Sequence, residues 1–125
     1  MITVPATYKE LKDTSLPDLL NIHERILPYI NRTPVMTCSY IDKLAGTSLF
    51  FKCENFQKVG AFKMRGATNA ALHLSDKELQ MGLATHSSGN HAQAVALSAK
   101  MQGVPSYIVM PKNAPLIKRK ATEGY

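Results

Sequence analysis

Cysteine is scarce in this sequence, since Cys38 and Cys53 are the only two among 125 residues. Two cysteines cannot build a disulfide framework, so we expect a protein of a reducing compartment. No stretch approaches the roughly 18 apolar residues of a membrane-spanning helix. The N-terminal segment carries acidic residues early and lacks the apolar core of a secretory signal. These absences predict a cytoplasmic protein without a membrane partner.

Internal repeats, linkers and low-complexity segments are absent too. Apolar residues make up 45% and charged residues 19% of the chain, which is the balance of a globular protein. The excess of lysine and arginine gives a net charge of +6, compatible with nucleic acid or with an anionic small molecule. That charge is spread along the chain and no nucleic-acid-binding motif accompanies it, so we expect no nucleic acid partner.

The second half of the chain alternates between strand-like and helix-like segments with short connections. This alternation predicts an α/β fold with an open parallel sheet and crossover helices. In the first half, Ser15 and Asp18 have capping-box spacing and predict a helix that ends near Pro28. Ser75 and Glu78 repeat that spacing. The other predicted elements are strands over residues 48–54, 82–87 and 105–111, and helices from residue 63, over residues 89–103 and from residue 114.

A polar run, ATHSSGNHAQ, lies where one predicted strand ends and the next helix begins. Gly89 permits a tight turn there, and Asn90, His91 and Ala92 supply backbone N–H groups at the helix start. Such an N-terminus favours an anion, because its N–H groups lack partners and the helix dipole is positive at that end. An ordinary polar helix cap explains the same residues equally well.

A second run, KVGAFKMRGATNAA, places Lys63 directly after Gly60, Ala61 and Phe62. A lysine at the start of a helix is usually solvated, and the helix dipole disfavours its charge there. Small neighbours and an aromatic ring suit a lysine that reacts as a free amine. From these residues alone, a solvated surface lysine is the more common explanation.

Together, the two runs resemble the serine/threonine dehydratase and serine racemase family of fold-type II pyridoxal-phosphate enzymes. The similarity extends from about Ile30 to Tyr125 and includes RTPV, LFFKCE, ENFQKVGAFKMRGATNA, THSSGNHAQAVALSAK and YIVMP. It implies pyridoxal 5'-phosphate as the cofactor and a small amino acid as the substrate. The implied reaction is dehydration and deamination of L-threonine or L-serine to a 2-oxo acid and ammonia, with serine racemisation as the alternative.

The resemblance also implies roles for residues in both runs. Lys63 matches the lysine that forms the internal Schiff base and takes the substrate α-proton. Phe62 would pack beside the cofactor, and Asn90 would contact the hydroxyl of its ring. In the racemases, the residue at Ser88 is an acid/base on the face opposite the lysine. The run that receives the substrate carboxylate corresponds to Ser87, Ser88, Gly89, Asn90 and His91.

A larger enzyme is implied as well. Residues 1–76 would be the N-terminal portion of the larger cofactor domain, and residues 77–125 the start of the smaller α/β domain, with the remainder absent. The family's glycine-rich phosphate loop and the acidic ligands of its divalent metal have no counterpart here, so no metal ligand is predicted. We expect a homo-oligomer for the full-length enzyme. Racemase relatives bind a nucleotide at a subunit interface through positions that match Ser39, Lys58, Gln93 and Tyr125.

Two other classes of function compete with the enzyme. A catalytically inert segment or interaction module would keep the fold pattern without activity, and a basic nucleic-acid-binding domain would use the positive charge. Binding of pyridoxal phosphate would separate the enzyme from both. Because the phosphate loop has no match, we expect the 125-residue chain by itself to be inactive.

Overall fold

The computed structural model describes residues 15–125, so the N-terminal segment that lacks a predicted signal lies outside the described residues. No helix among residues 15–125 is both long and apolar enough to cross a membrane. Three short 3₁₀ turns cover Leu27–Tyr29, Glu54–Phe56 and Lys58–Gly60. The helices are α1 (Leu16–Ile26), α2 (Ser39–Ala45), α3 (Lys63–Leu72), α4 (Asp76–Gln80), α5 (Asn90–Gln102) and α6 (Leu116–Glu123). The strands are β1 (Val35–Met36), β2 (Phe51–Lys52), β3 (Leu83–His86) and β4 (Ser106–Val109).

Both predicted capping boxes are confirmed. At the start of α1, the Ser15 N–H donates to Asp18 Oδ2 at 2.9 Å, and the Asp18 N–H donates back to Ser15 Oγ at 3.4 Å. Ser75 and Glu78 make the same reciprocal pair at the start of α4, with distances of 2.9 and 3.4 Å. Each box satisfies N–H groups that a helix end would otherwise leave unpaired.

The parallel sheet is also confirmed in its first two strands. β3 and β4 pair in parallel, with Leu83 opposite Ser106 and His86 opposite Val109. Helix α5 connects them and packs on both strands, which is the crossover that a parallel pair requires. β1 and β2 form a separate antiparallel pair. The loop that follows β3 therefore enters α5 at the carboxyl edge of the parallel pair.

The core lies between α3 and α5. Met64 on α3 is completely buried, and α5 meets it with a face of small residues. The buried alanines let the two helix backbones approach closely, and alanine also favours the helix itself. One cluster of buried residues includes Ile26, Met64 and Leu83, so it spans the predicted boundary at residue 76. The division into two domains stays a prediction. The buried alanines of α5 are Ala92, Ala94, Ala96 and Ala99.

Several predicted details differ from the structure. The strand predicted over residues 48–54 is only two residues long, because the chain enters a 3₁₀ turn at Glu54. Helix α1 packs mainly against α3, so Ile26 is buried while Leu19 remains 53% exposed. Cys38 and Cys53 are free and half-buried, whereas the sequence indicated buried thiols. Each difference concerns a surface that has no packing partner among residues 15–125.

Candidate functional site

An open cavity of about 620 Å³ lies where the segment before α3 meets the start of α5. Its lining brings together the two runs that the sequence analysis identified, although they are separated along the chain. This is the size range of cavities that hold small molecules and cofactors. The cavity is lined by Glu54, Asn55, Gly60, Ala61, Phe62, Lys63, Ser87, Asn90 and His91.

Lys63 is the first residue of α3, and its side chain is exposed at the cavity. Its Nζ atom lies 4.9 Å from the centre of the Phe62 ring. Within residues 15–125, no carboxylate forms an ion pair with it, since the single ion pair joins Arg65 and Glu54. The amine of Lys63 is therefore held beside an aromatic face and is open to a ligand in the cavity.

The loop before Lys63 is fixed by the side chain of Gln57, which is buried at 4% exposure. Its Oε1 accepts the Asn31 N–H at 2.8 Å, and its Nε2 donates to the Asn31 carbonyl at 2.8 Å. The same Oε1 accepts the Lys58 N–H at 3.0 Å. One side chain thus ties the loop to the extended segment that contains Asn31, in the way a neighbouring strand would.

The same loop contains an uncommon backbone conformation. Val59 has φ of 57°, which is rare for a β-branched residue, and Gly60 follows with φ of 66°. Such a conformation persists only where the surrounding structure holds it, and outliers of this kind cluster at functional sites. Here the two residues turn the chain immediately before Ala61, Phe62 and Lys63.

Glu54 is the acidic side chain of the cavity lining, and its partners fix its charge. Hydrogen bonds from Arg65, at 2.7 and 2.8 Å, lower the pKa of Glu54 from 4.5 to about 2, and a bond from Thr33 acts in the same direction. Burial opposes this shift but is the weaker effect. Glu54 is consequently ionised and engaged at neutral pH, so it is not suited to act as a general base.

The N-terminus of α5 offers unpaired N–H groups to the cavity. Gly89 is the N-cap, and no side chain caps the helix. Within residues 15–125, the N–H groups of Asn90, His91 and Ala92 have no hydrogen-bond partner. Upstream of the helix, the Ser87 N–H donates to the Val109 carbonyl at 3.1 Å, which anchors the loop to β4. This arrangement can bind an anion such as a carboxylate.

Not every predicted site residue borders the cavity. Ser88 and Gly89 lie in the same loop and are half-buried, but they are not part of the lining. The Gly89 N–H donates to Ser87 Oγ at 3.3 Å, so Ser87 supports the turn as well as lining the cavity. The structure therefore brings together five of the predicted residues, namely Phe62, Lys63, Ser87, Asn90 and His91.

The four residues matched to a nucleotide site are placed apart from the main cavity. Tyr125 lines a second cavity of about 670 Å³ next to β4 and α6, and the lining of that cavity does not include the other three. Ser39 begins α2, Lys58 begins a 3₁₀ turn, and Gln93 lies in the first turn of α5. The nucleotide site stays a prediction. For the region spanning residues 15 to 125, no cluster of three or more metal-binding side chains is found.

Sequence reasoning missed Glu54, Asn55, Gln57 and Arg65 as contributors to the site. Glu54 and Arg65 carry opposite charges on either side of the loop, eleven positions apart, which is a weak signal of their pairing. Gln57 gives no signal of its own, because its partner is the backbone of a residue 26 positions earlier. Such long-range contacts depend on how the loop folds back.

Comparison with known proteins supports the family assignment. Residues 26–125 match the family model described as pyridoxal-phosphate dependent enzyme. The chain is 52% identical over 108 residues to beta-hydroxyaspartate dehydratase of Paracoccus denitrificans, covering 86% of this chain and 34% of the relative. It is 56% identical over 111 residues to serine racemase of Oryza sativa, covering 86% of this chain and 33% of the relative.

Solved structures agree with the curated relatives. Maize serine racemase superimposes with a TM-score of 0.85 at 50% identity, covering 89% of this chain and 34% of that one. A bacterial-type threonine deaminase, from T.th., superimposes with a TM-score of 0.79 at 44% identity, again covering 89% and 34%. The chain spans about a third of the length of the curated relatives it matches. With 100 consecutive residues matched and its fold shared, this chain belongs to the fold-type II family of pyridoxal-phosphate dependent enzymes.

Proposed function

We propose that the chain forms part of an enzyme that dehydrates and deaminates L-threonine or L-serine to a 2-oxo acid and ammonia. The observation that carries the proposal is the shared cavity, which places the Lys63 amine and the uncapped N-terminus of α5 on one lining. An amine and an anion-binding turn are what an amino acid substrate requires. Similarity to a dehydratase and to a threonine deaminase supports this reaction class.

The residues of the cavity fit pyridoxal phosphate. The Lys63 amine has no carboxylate partner among the described residues and can hold the cofactor covalently. The exposed Phe62 ring next to it can pack against a flat aromatic group, and the Asn90 amide can donate to or accept from a ring hydroxyl. When bound, the cofactor supplies an electron sink for negative charge that develops at the substrate α-carbon.

This chain would contribute binding, orientation and proton transfer. The N–H groups at the start of α5, with Ser87, Asn90 and His91, would bind the substrate carboxylate and fix the orientation of the α-carbon. The Lys63 amine, on the same lining, would take the α-proton. Glu54 would keep its charge and its bond to Arg65, so it would not compete with Lys63 for that proton.

Racemisation of serine is the second candidate, and similarity to serine racemases of Oryza sativa and maize supports it equally. Both reactions begin with loss of the same α-proton, and they differ in what happens next. Racemisation needs a proton returned on the opposite face, which is the role that Ser88 would have. Elimination needs no such donor. Ser88 therefore distinguishes the two candidates.

The proposal is tested in a hybrid in which this chain is joined, after Tyr125, to the downstream part of the Oryza sativa serine racemase. Pyridoxal-phosphate-dependent release of 2-oxo acid from L-serine or L-threonine supports the proposal if Lys63→Ala removes it. As a control for the junction, the racemase's own N-terminal part is rejoined at the same position. An active control beside a hybrid that binds pyridoxal phosphate but forms neither 2-oxo acid nor D-serine would overturn the proposal.

A further inference from the structure

Arg65 lies on the first turn of α3, two positions after Lys63, and it holds Glu54 through both carboxylate oxygens. Its Nε donates to Glu54 Oε2 at 2.8 Å, and its Nη2 donates to Oε1 at 2.7 Å. The two side chains are 25% and 20% exposed, so much of the pair is shielded from water. Bidentate pairs of this kind fix orientation as well as distance, since two parallel bonds prevent rotation.

Thr33 and Lys52 extend this pair into a network. Thr33 is buried at 4% exposure, and its Oγ1 donates to Glu54 Oε1 at 2.6 Å. Lys52 Nζ donates to the Thr33 carbonyl at 2.7 Å. The network thus joins the extended segment before β1, the 3₁₀ turn that begins at Glu54, and helix α3.

The start of α3 has little else to fix it. Its N-cap, Phe62, makes no side-chain capping bond, and the turn before it holds Val59 in a rare left-handed conformation. Gln57 ties that turn to Asn31, but it does not reach α3. The contact between Arg65 and Glu54 is the polar link between the helix and the loop. Glu54 also lines the cavity that contains Lys63.

We propose that Arg65, Glu54 and Thr33 position Lys63. The network clamps the first turn of α3 onto the 3₁₀ turn at Glu54, and it thereby sets where the Lys63 amine enters the cavity. Arg65 and Thr33 do not touch the reacting atoms and are positioning residues. The inference rests on the proposed function for its purpose, which is to present Lys63 to the cofactor, but the clamp itself is testable without cofactor.

The first experiment measures backbone amide hydrogen exchange over residues 58–66 in the 125-residue chain. In Glu54→Gln we expect exchange there to accelerate at least tenfold, while amides in the middle of α5 keep their rates, because only the clamp is released. Glu78→Gln is the matched control. It removes a carboxylate from the capping box of α4, outside the cavity lining, and should leave residues 58–66 unchanged.

Arg65→Lys supplies a milder variant that keeps the positive charge but cannot make two parallel bonds. It should accelerate exchange over the same residues, so it carries the test if Glu54→Gln unfolds the chain. A swapped pair, Glu54→Arg with Arg65→Glu, should recover part of the protection. Unchanged exchange at residues 58–66, or an equal rise in every protected amide, would overturn the proposal.

A second readout concerns the lysine itself. Pyridoxal phosphate and borohydride are added to the chain, and the fraction of label on Lys63 is compared with the fraction on Lys100, an exposed lysine of α5. Releasing the clamp should lower the Lys63 to Lys100 ratio at least threefold. A parent chain without preference for Lys63 would count against the proposed function, whereas hydrogen exchange would still decide whether the clamp exists.

Discussion

The ammonium of Lys63 lies 4.9 Å from the centre of the ring of Phe62, its neighbour in the sequence. A cation over an aromatic face at an exposed site gains about 0.5–1 kcal/mol, which is less than a partly buried carboxylate would provide. The contact orients the amine without engaging its lone pair once the proton has left. An amine held in this way is accessible to an aldehyde carbon.

Lys63 is therefore expected to be the lysine that pyridoxal phosphate modifies in the hybrid enzyme. Borohydride reduction should fix the label on Lys63, and peptide mapping should locate it there. Lys63→Ala should lower turnover by at least a thousandfold, because covalent anchoring and proton abstraction are lost together. Label found mainly on Lys52 or Lys58 would contradict the assignment.

Ser88→Ala separates the two candidate reactions in the same hybrid. If elimination is the main reaction, 2-oxo acid formation should stay within about threefold of the parent, since proton transfer on one face is sufficient. If racemisation is the main reaction, D-serine formation should fall at least a hundredfold. Both products are measured from L-serine in one preparation. Equal losses of both would instead indicate that Ser88 acts in substrate binding.

The sequence predicted the elements of the site better than their connections. Lys63 and Asn90 were assigned because each lies in a local run with its own chemistry, an amine among small residues and a polar turn before a helix. The structure places both on one cavity. Local runs could be read because capping boxes, glycine turns and helical spacing depend on nearby residues only.

Contacts between distant segments could not be read in this way. The bond between Gln57 and Asn31 spans 26 positions, and the pair of Arg65 and Glu54 requires two turns to fold toward each other. Val59 gives no sequence signal for its left-handed conformation, because β-branched residues normally avoid it. These features arise from tertiary packing, which overrides local preference.

Gly82 should be intolerant of any side chain. It has φ of 85°, and a Cβ there would lie 2.5 Å from the Pro105 carbonyl oxygen, which accepts the Leu83 N–H at the start of the parallel pair. We expect Gly82→Ala to lower the free energy of unfolding by at least about 3 kcal/mol, measured by urea denaturation. Gly103→Ala is the control, because φ is 69° but no atom lies within 4 Å of its Cβ. It should cost about 1 kcal/mol. Equal losses in the two variants would contradict the steric argument.

The ion pair of Glu54 should make stability depend on acid pH. Its pKa is lowered from 4.5 to about 2 in the folded chain, chiefly by the hydrogen bonds from Arg65. The stabilisation is therefore complete above pH 4.5 and is lost as the pH falls through 2. We expect the parent to exceed Glu54→Gln by roughly 2 kcal/mol at pH 6, after allowance for solvent screening, and this gap to shrink between pH 4.5 and 2.

The dependence should disappear when the partner is removed. In an Arg65→Met background, Glu54→Gln should change the unfolding free energy by less than about 0.5 kcal/mol at pH 6, because the charged bonds no longer exist. The two pairs of proteins are compared by urea denaturation at each pH. A pH-dependent gap that survives in the Arg65→Met background would show that another group holds the charge of Glu54.

Large apolar side chains remain uncovered on several elements. Tyr40 and Leu44 on α2 are each 70% exposed, Phe50 is 72% exposed, and Ile117 on α6 is 78% exposed. β3 and β4 pair with no further strand among the described residues, so their outer edges keep unpaired backbone groups. Exposed apolar surfaces and free strand edges both promote association.

We accordingly expect the 125-residue chain by itself to associate, to bind pyridoxal phosphate weakly and to turn over neither serine nor threonine. Light scattering should show species larger than a monomer, and Tyr40→Lys with Leu44→Lys should reduce them, because the added charges cover part of the apolar surface. Cofactor titration should not saturate under conditions where the hybrid does, since no glycine-rich phosphate cradle occurs in this sequence. Lys112→Glu, an exposed change of charge away from the cavity, is the control and should leave association unchanged. A folded monomer of this chain with turnover comparable to the hybrid would show that its cavity is sufficient for catalysis and that the uncovered surfaces need no partner.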